Sequence, residues 1–436
     1  MDLTEVDLKH YVNVLPNGLT VVSIEMPHIH SLEISMFVRA GLRFEVEKEN
    51  GISHFIEHML FRGNKKYPTS LTLNREFETI GRELRASTMS EYTHFGFSPS
   101  IAKLDEAVQL FANFFTDPTF SEIDLEREII LEEYQEELNE NGENIDIDNL
   151  ACQILYPDNP LAWPTVGTRE TLESINTDHL RDYFNRHYVP GNLILASAGP
   201  VSHADFLQLA ERYFSELGNQ GKVISPDHFL GSIAENQRDE QILFQHDSDS
   251  QIQLQICFRA LSYNDPDFYT ACMISRIFDD GFTSRLQRAL REDRGLVYSV
   301  ECRATSLSDI GTMDFDVSVR SEKLTETCRI LLDEIKKMFE TGPTEEELAH
   351  FKHRYLFDFE SDLDDPYKQV VRYAFPHLYS NAISVEEEVA IIEVITTKNI
   401  LEVAKRIFVK KNLNVVVVGP YTPTNKSELE NLVHSF

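Results

Sequence analysis

Residues 192–200 read NLILASAGP and residues 412–420 read NLNVVVVGP, an apolar run closed by Gly-Pro that recurs at an offset of 412 − 192 = 220. Just upstream, Ile175-Asn-Thr-Asp-His-Leu180 faces Ile395-Thr-Thr-Lys-Asn-Ile400 at the same offset. Near the start of each half, SLEISMFVRA at 31–40 pairs with QIQLQICFRA at 251–260, and the offset is unchanged. Three windows in one register imply a duplicated unit, because each copy repeats the same succession of strand and helix. The expected organisation is a first unit at 1–220, a linker at 221–244 containing Gly, Asn, Asp and Ser, and a second unit at 245–436.

Within each copy the pattern runs from alternating strands through helices to the strand that ends in Gly-Pro. SLEISMFV alternates apolar and polar residues, which predicts a strand with one face on a core. Residues 52–61 and 121–140 carry apolar residues at helical spacing, with Ser121 as the expected N-cap and Asn141-Gly142 as the stop. Strands grouped together, with helices packed on one face, predict an α+β architecture.

The chain has 436 residues, 42% apolar and 26% charged, which suits a folded protein of more than one domain. Forty Lys and Arg stand against 72 Asp and Glu, a formal net charge of −32. Such a field repels phosphate backbones and anionic lipid, so neither nucleic acid nor a membrane surface is an expected partner, while cationic substrates are favoured. No apolar run approaches the roughly 18–20 residues that span a bilayer. The opening MDLTEVDLKH has neither a basic start before an apolar core nor an Arg- and Ser-rich character. The five cysteines are odd in number and free of any CxxC pair, which fits a reducing, cytoplasmic setting.

The chemistry concentrates in residues 51–61, GISHFIEHMLF. On a helix His54 and His58 stand one turn apart on one face, so both imidazoles can reach one zinc ion. Glu57 lies at the edge of that face, where its carboxylate can take a proton from water. A third ligand is required, and the acidic run at 126–137, EREIILEEYQEE, offers several. Helical geometry narrows these only to the extent that Glu126 and Glu133, two turns apart, share one stripe. Adding 220 to His54, Glu57 and His58 lands on Ile274, Ile277 and Phe278, so the second copy lacks the motif and one metal site per chain is expected.

His54-x-x-Glu57-His58, followed by a Glu-Arg-x5-Glu segment ending at Glu133, resembles the pitrilysin/insulinase family of zinc metallopeptidases, the inverzincins, and in particular its short mitochondrial-processing and bacterial branch. The resemblance extends over Ala40-Gly-Leu-Arg-Phe-Glu45, Asn50-Gly51, His58-Met-Leu-Phe-Arg-Gly63, Gly167-Thr168 and Tyr188-Val-Pro-Gly-Asn192. It implies two pitrilysin/LuxS-metallohydrolase-like units forming half of a clamshell. It also implies Zn2+ held by His54, His58 and Glu133, Glu57 as general base, and Glu126 as a supporting carboxylate. In the second half, Ser284-Arg-Leu-Gln-Arg-Ala-Leu-Arg291 and the following Tyr298 resemble the family's Arg-x6-Tyr element, which implies that Arg291 and Tyr298 bind substrate and hold the developing oxyanion. The implied activity is endopeptidase hydrolysis of unfolded or short peptides in an enclosed chamber. The implied assembly is a homodimer with composite active sites, zinc from one subunit and the Arg/Tyr pair from the other. The alternative within the same family is a non-catalytic subunit, or one dedicated to maturing a single peptide. Two departures concern substrate contacts. Arg85 stands where the family's edge strand usually has Asn, and residues 278–283, FDDGFT, replace a glycine-rich stretch.

Overall fold

The computed structural model describes residues 8–217, 237–380 and 382–436. The expected linker 221–244 lies outside the described residues as far as 236, and its end is taken up by a strand, Gln241–Gln245. The apolar core of that strand, ILF, sits between polar flanks that read as linker. Among the described residues no helix is long and apolar enough to cross a membrane.

The described residues divide into two compact units that are not contiguous in the chain: 8–134 with 163–217, 359–380 and 382–385, and 135–162 with 237–358 and 386–436. The first holds β1 (His10–Val14), β2 (Thr20–Glu25), β3 (Glu33–Val38), β4 (Arg85–Thr88), β5 (Thr93–Phe97) and β6 (Leu193–Gly199). They form one sheet in the order β1-β2-β6-β3-β5-β4, with β2 and β6 parallel and the other pairs antiparallel, which leaves β4 at an edge. The second unit holds β7 (Gln241–Gln245), β8 (Ile252–Ala260), β9 (Val300–Ser306), β10 (Gly311–Val319) and β11 (Leu413–Val418), in the order β7-β11-β8-β10-β9.

The duplication extends to the ladder of hydrogen bonds. Glu33 pairs with Ala198 and Ile34 with Phe97, while Gln253 pairs with Val418 and Leu254 with Val317, each partner displaced by the same offset. A slip of one residue would turn every apolar side chain to the wrong face, so the shared register means that the same face of each sheet is buried. In the first unit that face packs Ile34, Met36 and Leu195 against Phe55, Met59 and Phe111 from the helices. In the second it packs Ile256, Phe258 and Val415 against Ile274, Ile277 and Phe278.

The opposite faces are covered as well, which corrects the expectation of a one-sided strand at 31–38: all six residues of β3 are buried. The cover of the first sheet is the helix Pro366–Tyr373, which belongs by sequence to the second copy and buries Val370 and Tyr373 against β2, β3 and β6. The cover of the second is the helix Ile147–Leu155, from the first copy, whose Leu150, Ala151 and Leu155 cluster with Cys257, Val416 and Val418. Ile147 and Tyr367 stand at the offset of the repeat, so the two copies have exchanged equivalent helices. Equivalent arginines fasten their C-terminal sides: Arg39 donates to His377 O, in the turn that follows Pro366–Tyr373, at 2.5 Å, and Arg259 donates through Nε to Leu155 O at 3.0 Å.

A strand alternates its side chains between two faces, and an uncovered apolar face is an aggregation hazard. A fragment of residues 8–217, which lacks Pro366–Tyr373, is expected to bind a hydrophobic dye and to melt without cooperativity. Supplying residues 237–436 in trans should restore a cooperative transition. A fragment 8–217 that melts cooperatively alone would show the exchanged helix to be dispensable.

Candidate metal centre

The helix Ile52–Leu60 carries the motif. Ile52, Phe55, Ile56, Met59 and Leu60 are buried, which turns His54, Glu57 and His58 to the remaining side. Its start is fixed by a residue without an assigned role in the sequence reading. Glu45 is 1% exposed, and its carboxylate accepts from Gly51 N at 2.8 Å, Ser53 N at 2.9 Å and Asn50 Nδ2 at 3.0 Å. Burial pushes the Glu45 carboxyl above its ordinary range, and these donors act against that. The carboxyl group sits where the helix presents N–H groups without intrahelical partners. Gly51 enters the helix at φ +89°, and a Cβ there would meet Val166 O at 2.4 Å.

The second helix, Ile123–Glu136, is shorter than the expected 121–140 at both ends. Glu122 has a φ of 60°, a left-handed conformation that cannot begin an α-helix, so Ser121 lies outside rather than at the N-cap. Glu126, Ile130 and Glu133 fall on one stripe, and Ile130 is fully buried between the two carboxylates. Arg127 ties the helix down by donating to Leu172 O at 3.0 Å and Ile175 O at 2.8 Å.

The two helices bring three ligand atoms together. His54 Nε2 and His58 Nε2 are 3.1 Å apart, and Glu133 Oε2 lies 3.6 Å from the first and 3.7 Å from the second. Zinc held tetrahedrally by ligands at about 2.0–2.1 Å separates neighbouring ligand atoms by about 3.3–3.4 Å, so this triangle fits one ion. Among the described residues no other group of three His, Cys, Asp or Glu side chains comes together in this way. Burial, with the neighbouring His58 adding to it, holds the His54 imidazole neutral with its pKa down to about 3, and the neutral ring is the form that ligates.

Around the triangle the side chains are tied. His58 Nδ1 is 2.8 Å from Glu126 Oε1, and Arg62 donates to the other oxygen of the same carboxylate. Burial acts to raise the Glu126 carboxyl, but the bonds from His58 and Arg62 outweigh it and hold it below its ordinary range. A carboxylate on the far nitrogen fixes the ring orientation and the tautomer of a ligating histidine. Glu57 accepts a hydrogen bond from Thr88 Oγ1 on β4. Burial pushes its carboxyl up, the Thr88 bond and His58 oppose this, and Glu133 adds to it. Arg62 stands in the sequence only within the stretch 58–63 and Thr88 near Arg85, and the partners of both are far away along the chain.

Arg85, on edge strand β4, donates from Nη2 to the buried carboxylate of Glu33 at 2.9 Å, an interaction that an Asn is too short to make. Arg291 and Tyr298 belong to the second compact unit. There the Arg291 guanidinium lies 5.6 Å from the Tyr298 ring, and Tyr298 is 83% exposed. The positions equivalent to the motif, Ile274, Ile277 and Phe278, are fully buried core residues.

The sequence profile described as Insulinase (Peptidase family M16) matches residues 20–169, and the one described as Peptidase M16 inactive domain matches residues 174–355. An uncharacterized zinc protease of Rickettsia bellii is 31% identical over 424 residues, 94% of this chain and 97% of that protein. The chain belongs to the M16 peptidase family. Its M16 relatives include the mitochondrial-processing peptidase subunit beta of Bos taurus, 29% identical over 94% of this chain and 84% of that one. The M16 fold of the chain is also that of a protease from Helicobacter pylori, with a TM-score of 0.86 over 95% of this chain and 100% of the other, at 20% identity.

The closeness of Gly51 to the 166–167 backbone gives a direct test of what holds the motif helix. Gly51→Ala adds both left-handed strain and a backbone clash. Gly142→Ala adds strain alone, since its φ is +76° and nothing lies within 4 Å of the added Cβ. Chemical denaturation is expected to show a loss of about 1 kcal/mol for Gly142→Ala and clearly more for Gly51→Ala. Equal losses would mean that the close approach does not constrain this helix.

Proposed function

We propose that the chain is a zinc-dependent endopeptidase acting on unfolded or short peptides, with His54, His58 and Glu133 as the metal ligands. The observation that supports this best is the triangle of His54 Nε2, His58 Nε2 and Glu133 Oε2, whose edges of 3.1, 3.6 and 3.7 Å suit a tetrahedral ion and leave its fourth position open. When bound, zinc supplies Lewis-acid polarisation of a peptide carbonyl and lowers the pKa of water. Glu57 takes the proton of the attacking water and passes it to the leaving amine. The Thr88 bond holds one of its oxygens. Glu126 orients His58. Arg291 and Tyr298 donate to the oxyanion that forms as the carbonyl is attacked. The peptide adds as an extended strand to the edge of β4, since among the described residues this strand ends its sheet and carries the partner of Glu57. Five free cysteines support a reducing compartment, the cytoplasm, as its setting.

Metal content and hydrolysis separate the roles. Glu57→Gln keeps all three ligands, so zinc content should match wild type while cleavage of a quenched peptide falls by about 10²-fold or more. Glu133→Gln and His58→Ala should each lower zinc content itself. Full zinc in Glu133→Gln would refute the ligand set.

The proposed assembly is a homodimer whose sites take zinc from one subunit and Arg291 and Tyr298 from the other. Mixing Glu57→Gln subunits with Tyr298→Phe subunits then creates one doubly damaged and one intact site in every mixed dimer, and random pairing should restore up to about a quarter of wild-type activity. No recovery after verified subunit exchange would sink the composite site. The Bos taurus relative is named as one subunit of a peptidase, which supports a second reading in which this chain works beside a paralogue. In that case the purified chain would hold zinc and cleave nothing until the paralogue is added.

A further inference from the structure

The second unit presents a large apolar side chain to solvent beside Arg291. Phe282 is 64% exposed, and the Arg291 guanidinium lies 5.2 Å from its ring and 5.6 Å from that of Tyr298. One cation thus stands against two exposed aromatic rings. An exposed Phe costs hydration free energy, and on a loose loop it would turn inward. This turn is anchored instead. Asp280 is ion-paired with Arg276 at 2.8 Å and with Arg354 at 2.7 Å. Ser284 donates to Gly281 O from both its backbone N, at 3.1 Å, and its Oγ, at 2.8 Å. Phe282 is held between these fastenings.

Arginine has several rotatable bonds and loses rotamer entropy when its head is fixed. Among the described residues Arg291 has one long ion-pair contact to hold it, Glu292 at 3.7 Å. We infer that Phe282 is a positioning residue: its ring, with that of Tyr298, holds the Arg291 guanidinium in the orientation in which it donates to the substrate carbonyl. The inference rests on the peptidase reading above and adds to it a residue from the stretch where the family's glycine-rich pattern is absent. In this role the ring acts through Arg291. It removes an ordering cost that the transition state would otherwise carry, so its loss falls on kcat more than on KM.

The test uses the full-length chain with Phe282→Leu, Phe282→Tyr and Phe282→Trp, each checked for unchanged zinc content and melting temperature. Phe282→Leu keeps an apolar side chain without a π-face and should lower kcat about fivefold with little change in KM. Phe282→Tyr and Phe282→Trp should restore it. In an Arg291→Ala background, Phe282→Leu should have no further effect. A readout independent of turnover is the Arg291 side-chain Hε resonance, which ring currents shift upfield in wild type, in Phe282→Tyr and in Phe282→Trp, and which moves back in Phe282→Leu. Wild-type rates in Phe282→Leu, equal losses with and without Arg291, or an unshifted Hε in wild type would each overturn the inference while leaving the peptidase reading intact. Full activity in Arg291→Ala would overturn the role given to Arg291 and this inference with it, and absence of hydrolysis by the zinc-loaded wild type, both alone and with a paralogue added, would overturn the peptidase reading as well.

Discussion

The carboxylate of Glu45 is buried at the head of the helix that carries the metal motif, and the geometry of the site depends on it. A carboxylate taken out of water is costly unless hydrogen bonds replace its hydration. Here the replacements are the N–H groups of Gly51 and Ser53 and the side-chain amide of Asn50. Because two of the donors are backbone groups at the start of the helix, the bonds set the position and the rotation of the helix together. Ser53 Oγ, 2.7 Å from Tyr183 OH, fastens the same turn from another side. His54 and His58 then point where they do because the helix cannot rotate about its axis without breaking these contacts.

A second constraint acts through Glu126. Its carboxylate is shared between His58 Nδ1 and Arg62, so one buried acid joins both helices of the site. Ile130 in the core and Arg127 on the carbonyls of Leu172 and Ile175 set the depth and the tilt of the acidic helix. Glu133, two turns beyond Glu126, is thereby brought to the two histidines. Glu128, Glu132 and Glu136 face solvent as a charged helix surface ordinarily does, and packing is what distinguishes Glu126 and Glu133 from them.

The duplicated half shows what the fold requires in the absence of the chemistry. The five strands of the second sheet follow the order β2-β6-β3-β5-β4 of the first, with the central ladders in the same register, yet Ile274, Ile277 and Phe278 fill the core where the first half presents its motif. The fold therefore needs an apolar helix at this place and is indifferent to whether one side of it carries the His and Glu motif. The exchange of Ile147–Leu155 and Pro366–Tyr373 has a comparable logic, since each sheet needs its outer face covered and receives the cover from the other repeat.

Much of this was legible in the chain itself. The repeat between the two halves, the strands ending in Gly-Pro and the one-turn spacing of His54 and His58 are local or periodic features, and a linear string records periodicity directly. The resemblance carried Glu133, Glu126, Arg291 and Tyr298, where spacing alone left the acidic run open. What the string did not record are pairings between distant residues: Glu45 with the helix start, Thr88 with Glu57, Arg62 with Glu126, Arg39 and Arg259 with the exchanged helices. Nor did alternation along 31–38 reveal that β3 is buried on both sides, because the helix that covers it, Pro366–Tyr373, lies in the other half of the chain. Local periodicity follows from backbone geometry, which every short stretch obeys by itself. Partners and covered faces follow from which surfaces meet when the whole chain has packed, and that was decided only by the tertiary structure.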